Sequence, residues 1–365
     1  MHSRHSGGVR QVTVRVGVIG LGTMGRHHVR ILDDMDNVEL VGVSDANPIA
    51  LARVLQRRDY RGYSASDEML TEQRPDLVVI AAPTSLHSEI AVSAMRAGAH
   101  VLIEKPIAST CAEARTIIDE SKRLKRRVAV GHVERFNPAV VALKQRLADG
   151  QLGRVFRVHA RRLGPFPDRI RDVGVVIDLA THDIDVARYL LGSEPTRIFA
   201  ETAQHIHTDH EDMLSALLRF DDGVVVQLDV NWLTPTKIRE LSVLGERGMF
   251  LCNYLTQELT LYRNADMRPD AEARRHPRAV TEGEAVSFPI TQAEPLQLEM
   301  QSFIEAVRGE HPVEVDGEAG LRALHLAMSL VASADTSRVI GKAELQELWS
   351  GRSLGVSRGA HGDDL

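Results

Sequence analysis

The sequence predicts an α/β protein in two parts: a doubly wound parallel sheet, then a large, mostly antiparallel sheet with helices on one side. Three observations predict it. Short apolar runs alternate with helical stretches through the first third of the chain, the order that right-handed crossovers and a parallel sheet require. Past about residue 150 the runs become strands with period-two alternation and hairpin turns. The length, 365 residues, exceeds what one core supports, since single cores stop growing near ~250–300 residues.

Each element follows in order. Val14–Ile19 is a strand candidate, 24–32 a helix, Val38–Ser44 a strand and 49–57 a helix. Residues 77–82 form a continuous apolar run, the mark of a strand buried on both faces. A helix over 88–97 ends at Gly98, 101–103 is the next strand, 110–127 a longer helix and Val128–Val130 a strand. In the second part Phe156, Val158 and Ala160 alternate with Arg157, His159 and Arg161, as a strand covered on one face would. Strands at 215–220 and 224–230 flank Asp221-Asp222-Gly223, a hairpin turn. A strand is expected over 237–243, and a helix over 321–332 with Leu321, Leu324, His325 and Met328 at helical spacing. Residues 264–284 are polar and irregular. The expected organisation is a flexible tail at 1–12, a nucleotide-binding domain at 13–132, a second domain for substrate and oligomerisation at 133–350, and a flexible tail at 351–365.

Composition narrows the function. Hydrophobic residues make up 43%, which excludes a disordered chain. The net charge of -6 and an aromatic content of 4% argue against nucleic acid as a partner. No apolar run reaches the ~18 residues of a membrane helix, and the polar N-terminus has no signal-peptide pattern. Cys111 and Cys252 lie far apart and form no CxxC pair, so neither a disulfide framework nor a structural zinc site is expected. The expectation is a cytoplasmic protein.

Gly20-Leu21-Gly22-Thr23-Met24-Gly25 fits GxGxxG between a strand and a helix. The first glycine permits the tight turn, the second lets backbone approach a pyrophosphate, and the third allows close helix–strand packing. A phosphate there meets the free N–H groups at the helix start. Asp45 follows the second strand, where a carboxylate holds ribose hydroxyls. No Arg accompanies it to receive a 2′-phosphate, which favours NAD over NADP.

Glu104-Lys105-Pro106 closes a strand of the parallel sheet, the end at which such folds bind ligands. A lysine there can hold a substrate oxygen. Further on stands Asp178-Leu-Ala-Thr-His182-Asp-Ile-Asp185; in a helix, Asp178 shares a face with His182 and with Asp185. His182 suits a general base for a hydroxyl proton, with Asp178 orienting it or bonding substrate. An ordinary ion pair is the competing reading. His205, His207, His210, Glu211 and Asp212 invite a metal, but their spacing fits no standard zinc motif, and no metal is expected. His27-His28 reads as helix surface or packing. Lys122-Arg-Leu-Lys-Arg-Arg127 reads as cations at a helix C-terminus.

These motifs, with Ala82-Pro83-Thr84 followed by His87, resemble the glucose–fructose oxidoreductase, inositol dehydrogenase and rhizopine-catabolism family of NAD(P)-dependent oxidoreductases, over about residues 14–334. The resemblance implies a Rossmann domain, a C-terminal α/β domain with an open sheet, and a homodimer or homotetramer built through that sheet. It assigns catalysis to Lys105, Asp178 and His182. Cofactor contacts fall to Gly20, Gly22, Thr23, Met24, Gly25, Asp45, Ala82, Pro83, Thr84, His87, Glu104 and Lys105. Within the family the stretches 131–138, 161–169, 172–178 and 232–239 resemble UDP-N-acetylglucosamine 3-dehydrogenases. Substrate contacts are then expected from Lys105, Arg135, Asn137, Arg161, Arg169, Asp178 and His182, with Arg157, His159, Arg161, Arg162, Arg169 and Arg171 forming a basic edge for a diphosphate. The expected reaction oxidises a secondary sugar hydroxyl to a ketone, with UDP-N-acetylglucosamine at C3 the specific expectation. The alternatives are a free-sugar or inositol dehydrogenase, and a non-catalytic nucleotide-sensing regulator of the same fold.

Overall fold

The computed structural model describes residues 13–56, 60–167, 173–207, 209–265 and 283–349. The tails expected at 1–12 and 351–365, and Arg169 and Arg171, lie outside the described residues. The described residues form two compact units: those up to 132 with 296–321, and those of 133–295 with those from 322 onward.

The first unit runs β1 (Val14–Ile19), α1 (Thr23–Asp33), β2 (Val38–Ser44), α2 (Pro48–Leu55), β3 (Gly62–Tyr63), α3 (Ser66–Gln73), β4 (Leu77–Ile80), α4 (His87–Arg96), β5 (His100–Ile103), α5 (Cys111–Leu124) and β6 (Val128–Val130). Its six strands are all parallel, in the order β3-β2-β1-β4-β5-β6. All four β4 residues are fully buried, as a central parallel strand with helices on both faces requires. β4 stops at Ile80 rather than at the expected residue 82, because Ala81 and Ala82 turn against the backbone of Gly20: a Cβ on Gly20 would lie 2.4 Å from the Ala82 nitrogen. α5 opens with a reciprocal Thr110–Glu113 cap and ends at Lys125, which is left-handed at φ 54°. That turn halts the helix short of the expected residue 127 and sends the chain into β6. β3 and α3 were not expected; a two-residue strand and an eight-residue helix carry too little periodicity to register.

The second unit holds α6 (Pro138–Ala148), β7 (Val155–Leu163), α7 (Thr181–Leu191), β8 (Pro195–Ala203), β9 (Met213–Phe220), β10 (Val225–Asn231), β11 (Ile238–Gly245), β12 (Gly248–Asn253), β13 (Glu258–Arg263) and β14 (Ala285–Phe288). The chain then rejoins the first unit through α8 (Pro295–Arg308). It returns within α9 (Gly317–Thr336) and finishes with β15 (Ile340–Gly341) and α10 (Lys342–Trp349). Residues 296–321 therefore correct the expected assignment of 133–350 to one domain. They are tied to the first unit by Val130 N–H donating to Val315 O (3.0 Å) and Arg308 donating to Asn37 O (3.3 Å). The nine-stranded sheet has the order β14-β13-β12-β11-β7-β10-β9-β8-β15. Every neighbouring pair is antiparallel except β7 and β10.

The β7 alternation holds for Val158 and Ala160, both fully buried, but Phe156 is 41% exposed near the strand start. Arg162, in phase with the buried residues, is itself buried under α7. It therefore leaves the expected basic edge. Among the described residues no helix is long and apolar enough to cross a membrane.

Candidate active site

The glycine turn divides its glycines by what each excludes. Gly20 is left-handed at φ 88°, and a Cβ on Gly25 would lie 1.8 Å from the Gly20 carbonyl oxygen. Both are required by the chain itself. Around Gly22 a Cβ would meet no protein atom within 4 Å, and its φ of -62° suits any residue. Gly22 caps α1, whose first turn has neither a side-chain cap nor an acidic residue. An open glycine at an uncapped helix start fits a dinucleotide pyrophosphate, which Gly22, Thr23 and Met24 would hold on backbone N–H groups. Gly22→Ala is expected to keep folding stability within about 1 kcal/mol while weakening NAD binding at least tenfold. Thermal unfolding and an NAD titration check both halves; unchanged affinity would remove Gly22 from the site.

Asp45 is half-buried after β2. Its carboxylate accepts from Leu21 N–H at 2.6 Å and from Asn47 N–H at 2.7 Å. It therefore fixes the glycine turn from the neighbouring strand, in the position from which a ribose diol would be held. Asp45→Ser cannot reproduce both bonds. It is expected to weaken NAD binding about tenfold and to narrow the gap to NADP, since the charge repelling a 2′-phosphate is gone. Tighter NADP than NAD binding by the unaltered protein would defeat this assignment.

His87 is buried and its two ring nitrogens lie 2.9 Å from the carbonyl oxygens of Ala82 and Pro106. It braces the segment after β4 to the segment after β5. Burial pushes its pKa down, against the pull of those carbonyls and of Glu104. His28 is fully buried rather than on the helix surface, with Nε2 2.7 Å from Glu104 Oε1. Burial drives the Glu104 carboxyl up, but the His28 bond and the charges of His28, Lys105 and His87 outweigh it and hold it below its ordinary value. An ionised, anchored carboxylate thus precedes Lys105, which is half-buried just past the C-terminal end of β5.

In the second unit residues Val176–Ala180 form a wide turn with i→i+5 hydrogen bonding that leads into α7, a local feature common at functional sites. Glu211 seats it: its Oε1 accepts from Val176 N–H at 3.2 Å, and a Cβ on Gly174 would collide with that carboxylate at 2.0 Å. Asp178 lies in the wide turn and His182 in the first turn of α7, both half-buried. Asp185, three residues beyond His182 in α7, does not share their exposure. It is buried and takes both arms of Arg135 at 2.7 and 2.5 Å. Asp183, also buried, takes Arg162 at 2.7 and 3.0 Å, and Glu134 takes the same guanidinium at 2.9 Å.

The expected substrate contacts separate accordingly. Arg135 is engaged by Asp185. Asn137 is buried, capping α6 at Ala139 N–H (3.1 Å) and donating to Tyr254 O (3.1 Å). Arg161 lies on the sheet face opposite α7, 3.2 Å from Glu240, so it is not brought to the Asp178–His182 turn. Asp212 accepts from the backbone N–H groups of His205, Ile206 and His207 at 2.8, 2.5 and 3.1 Å, and His207 Nδ1 accepts from His210 N–H at 3.1 Å. These are loop-building bonds. Among the described residues there is no group of three or more potential metal ligands. Sequence reading missed the anchoring roles of His28 and Glu211, whose partners are remote in sequence.

A parallel sheet in this strand order, with a glycine turn after β1 that a pyrophosphate fits, defines a dinucleotide-binding domain of the Rossmann class. Residues 14–132 match the oxidoreductase family with NAD-binding Rossmann fold, and residues 140–251 match the GFO/IDH/MocA C-terminal domain. The UDP-N-acetylglucosamine 3-dehydrogenase of Acidithiobacillus ferrooxidans is 31% identical over 320 residues, covering 87% of this chain and 96% of the relative. Its solved structure superposes with a TM-score of 0.78 at 28% identity, over 92% of this chain and 99% of that one. The myo-inositol 2-dehydrogenase of Thermotoga maritima is 26% identical over 341 residues, 90% of this chain and 98% of the relative. The chain belongs to the GFO/IDH/MocA oxidoreductase family.

Proposed function

We propose that the chain is an NAD-dependent dehydrogenase that oxidises a secondary sugar hydroxyl to a ketone, with UDP-N-acetylglucosamine oxidised at C3 as its substrate. The observation that carries the substrate is the 31% identity to the A. ferrooxidans enzyme across 87% of the chain. Asp45 supports NAD over NADP. Bound NAD supplies the hydride acceptor. Lys105 holds the hydroxyl oxygen and stabilises the charge that develops on it. His182 takes the hydroxyl proton as the C–H hydride departs, and Asp178 orients the imidazole or bonds the sugar. Asp183 and Asp185 take no part, since arginines already neutralise them. The exposed Leu217, Tyr262 and Phe156 on the nine-stranded sheet support a homodimer or homotetramer formed through that sheet.

A second reading, inositol oxidation, is favoured by the 26% identity to the T. maritima enzyme over 90% of the chain. Purified protein with NAD, tested against UDP-sugars, free sugars and inositols by NADH formation, separates the two. A 3-keto product from UDP-N-acetylglucosamine is expected. Efficient inositol oxidation with every UDP-sugar ignored would overturn the substrate and keep the reaction class.

A further inference from the structure

β7 and β11 pair so that Arg162 stands directly opposite Arg239, both on the face that carries α7. Two like charges at one cross-strand position repel, and each needs an anion. Arg162 has two: Asp183 takes it with both oxygens and Glu134 with one. Arg239 has none. Its Nη1 donates to the carbonyl oxygens of Leu163 (2.5 Å) and Ile238 (2.8 Å), and among the described residues no carboxylate lies within salt-bridge reach of it. It is only half-buried, and among the described residues the hydrogen bonds of its guanidinium are those two alone.

The surroundings keep it open. A Cβ on Gly164 would come to 3.8 Å from both Arg239 Nη atoms, so the missing side chain leaves the guanidinium uncovered. Burial, with Arg162 opposite, lowers the Arg239 pKa to about 10, against the pull of Asp183, Glu134 and Asp178. Asp178 is thus near enough to act on Arg239 electrostatically. A guanidinium that is partly desolvated, repelled by a neighbour and bonded only to neutral carbonyls is costly to the chain alone. A bound anion would offset that cost, and the planar fork suits phosphate or carboxylate oxygens.

We infer that Arg239 is the specificity-determining residue that receives an anionic group of the substrate, a phosphate or a carboxylate, beside the turn that carries Asp178 and His182. The inference rests on the sugar-oxidation reading but not on which sugar is oxidised. It replaces Arg161, which faces the other side of the sheet, as the cation for a diphosphate. The expected substrate is therefore an anionic sugar derivative rather than a neutral polyol.

Arg239→Gln tests this, because its amide can still donate to a strand carbonyl while the charge is lost. Calorimetric titration of the protein with UDP, inorganic diphosphate and glucuronate, before and after the substitution, gives the direct readout. Affinity for at least one anion should fall tenfold or more, and the anion affected names the source as phosphate or carboxylate. The ratio of KM for UDP-N-acetylglucosamine to KM for free N-acetylglucosamine should rise by a similar factor, with kcat changed less. Arg239→Lys should restore part of the anion affinity. Equal anion affinity in both proteins, or no anion binding by the unaltered one, would overturn the inference. If no UDP-sugar is oxidised, the substrate reading above fails by itself, and the anion titrations still decide the role of Arg239.

Discussion

Lys105→Ala and His182→Ala are each expected to cut kcat by about 10²–10⁴, the range typical of a lost general acid–base group. NAD affinity should stay within a few-fold of normal, because the contacts proposed for the dinucleotide are the glycine turn and Asp45. Charge on the substrate oxygen exists mainly during hydride transfer, so its partners act on the transition state and kcat and kcat/KM fall together. The Lys105 result has a structural control. Glu104, directly before it, is anchored to His28 at 2.7 Å, so the backbone at this point should not shift when the lysine side chain is shortened. Steady-state kinetics with an NAD titration on each variant settle the matter. Near-normal turnover would remove that residue from the catalytic set, whereas a fall confined to NAD affinity would reassign it to the cofactor.

Arg162→Ala is expected to have the largest effect on folding. It strands Asp183, whose side chain is 1% exposed, and Glu134, at 16%. Removing one partner of a buried pair costs about 3–5 kcal/mol. The loss should depend on pH in a definite direction. Burial pushes the Asp183 carboxyl above its ordinary value even with Arg162 beside it, and without that charge it rises further. A carboxyl whose folded pKa exceeds its unfolded pKa binds more protons when folded, so its contribution falls as pH rises through that window. The gap between variant and unaltered protein should therefore be widest at neutral pH and shrink on acidification toward about pH 5. Urea unfolding at the two pH values measures it; a gap that is small at neutral pH, or that grows on acidification, contradicts the stranded-charge account.

What the sequence made legible was local. The glycine turn and Asp45 were readable because strand, turn and helix lie within a few residues, so each glycine's task follows from its spacing. The place of Lys105 just past β5 was readable because it closes an apolar run. The charge network was not. His28 meets Glu104 across 76 residues, and the Arg162–Arg239 opposition depends on the register of β7 and β11. Period-two alternation placed Arg157, His159 and Arg161 on one face, but it could not say that Arg162 would find two carboxylates while Arg161 faced Glu240 on the other side. The same holds for Asp185: helical spacing put it beside Asp178, but it is buried against Arg135, 50 residues away in sequence.

That wide turn also bears on how this scaffold can change over time. A turn with i→i+5 bonding holds one residue more than the regular helix it interrupts, and one residue is about 100° of rotation in a regular helix. Deleting a single position within Val176–Ala180 would let the segment close into an ordinary ladder, leaving the inward side of α7 and its grip on Arg135 and Arg162 intact. Whatever precedes the deletion would swing around the axis relative to His182. The orientation of Asp178 relative to His182 is thus adjustable by insertion or deletion alone, without exchanging either side chain.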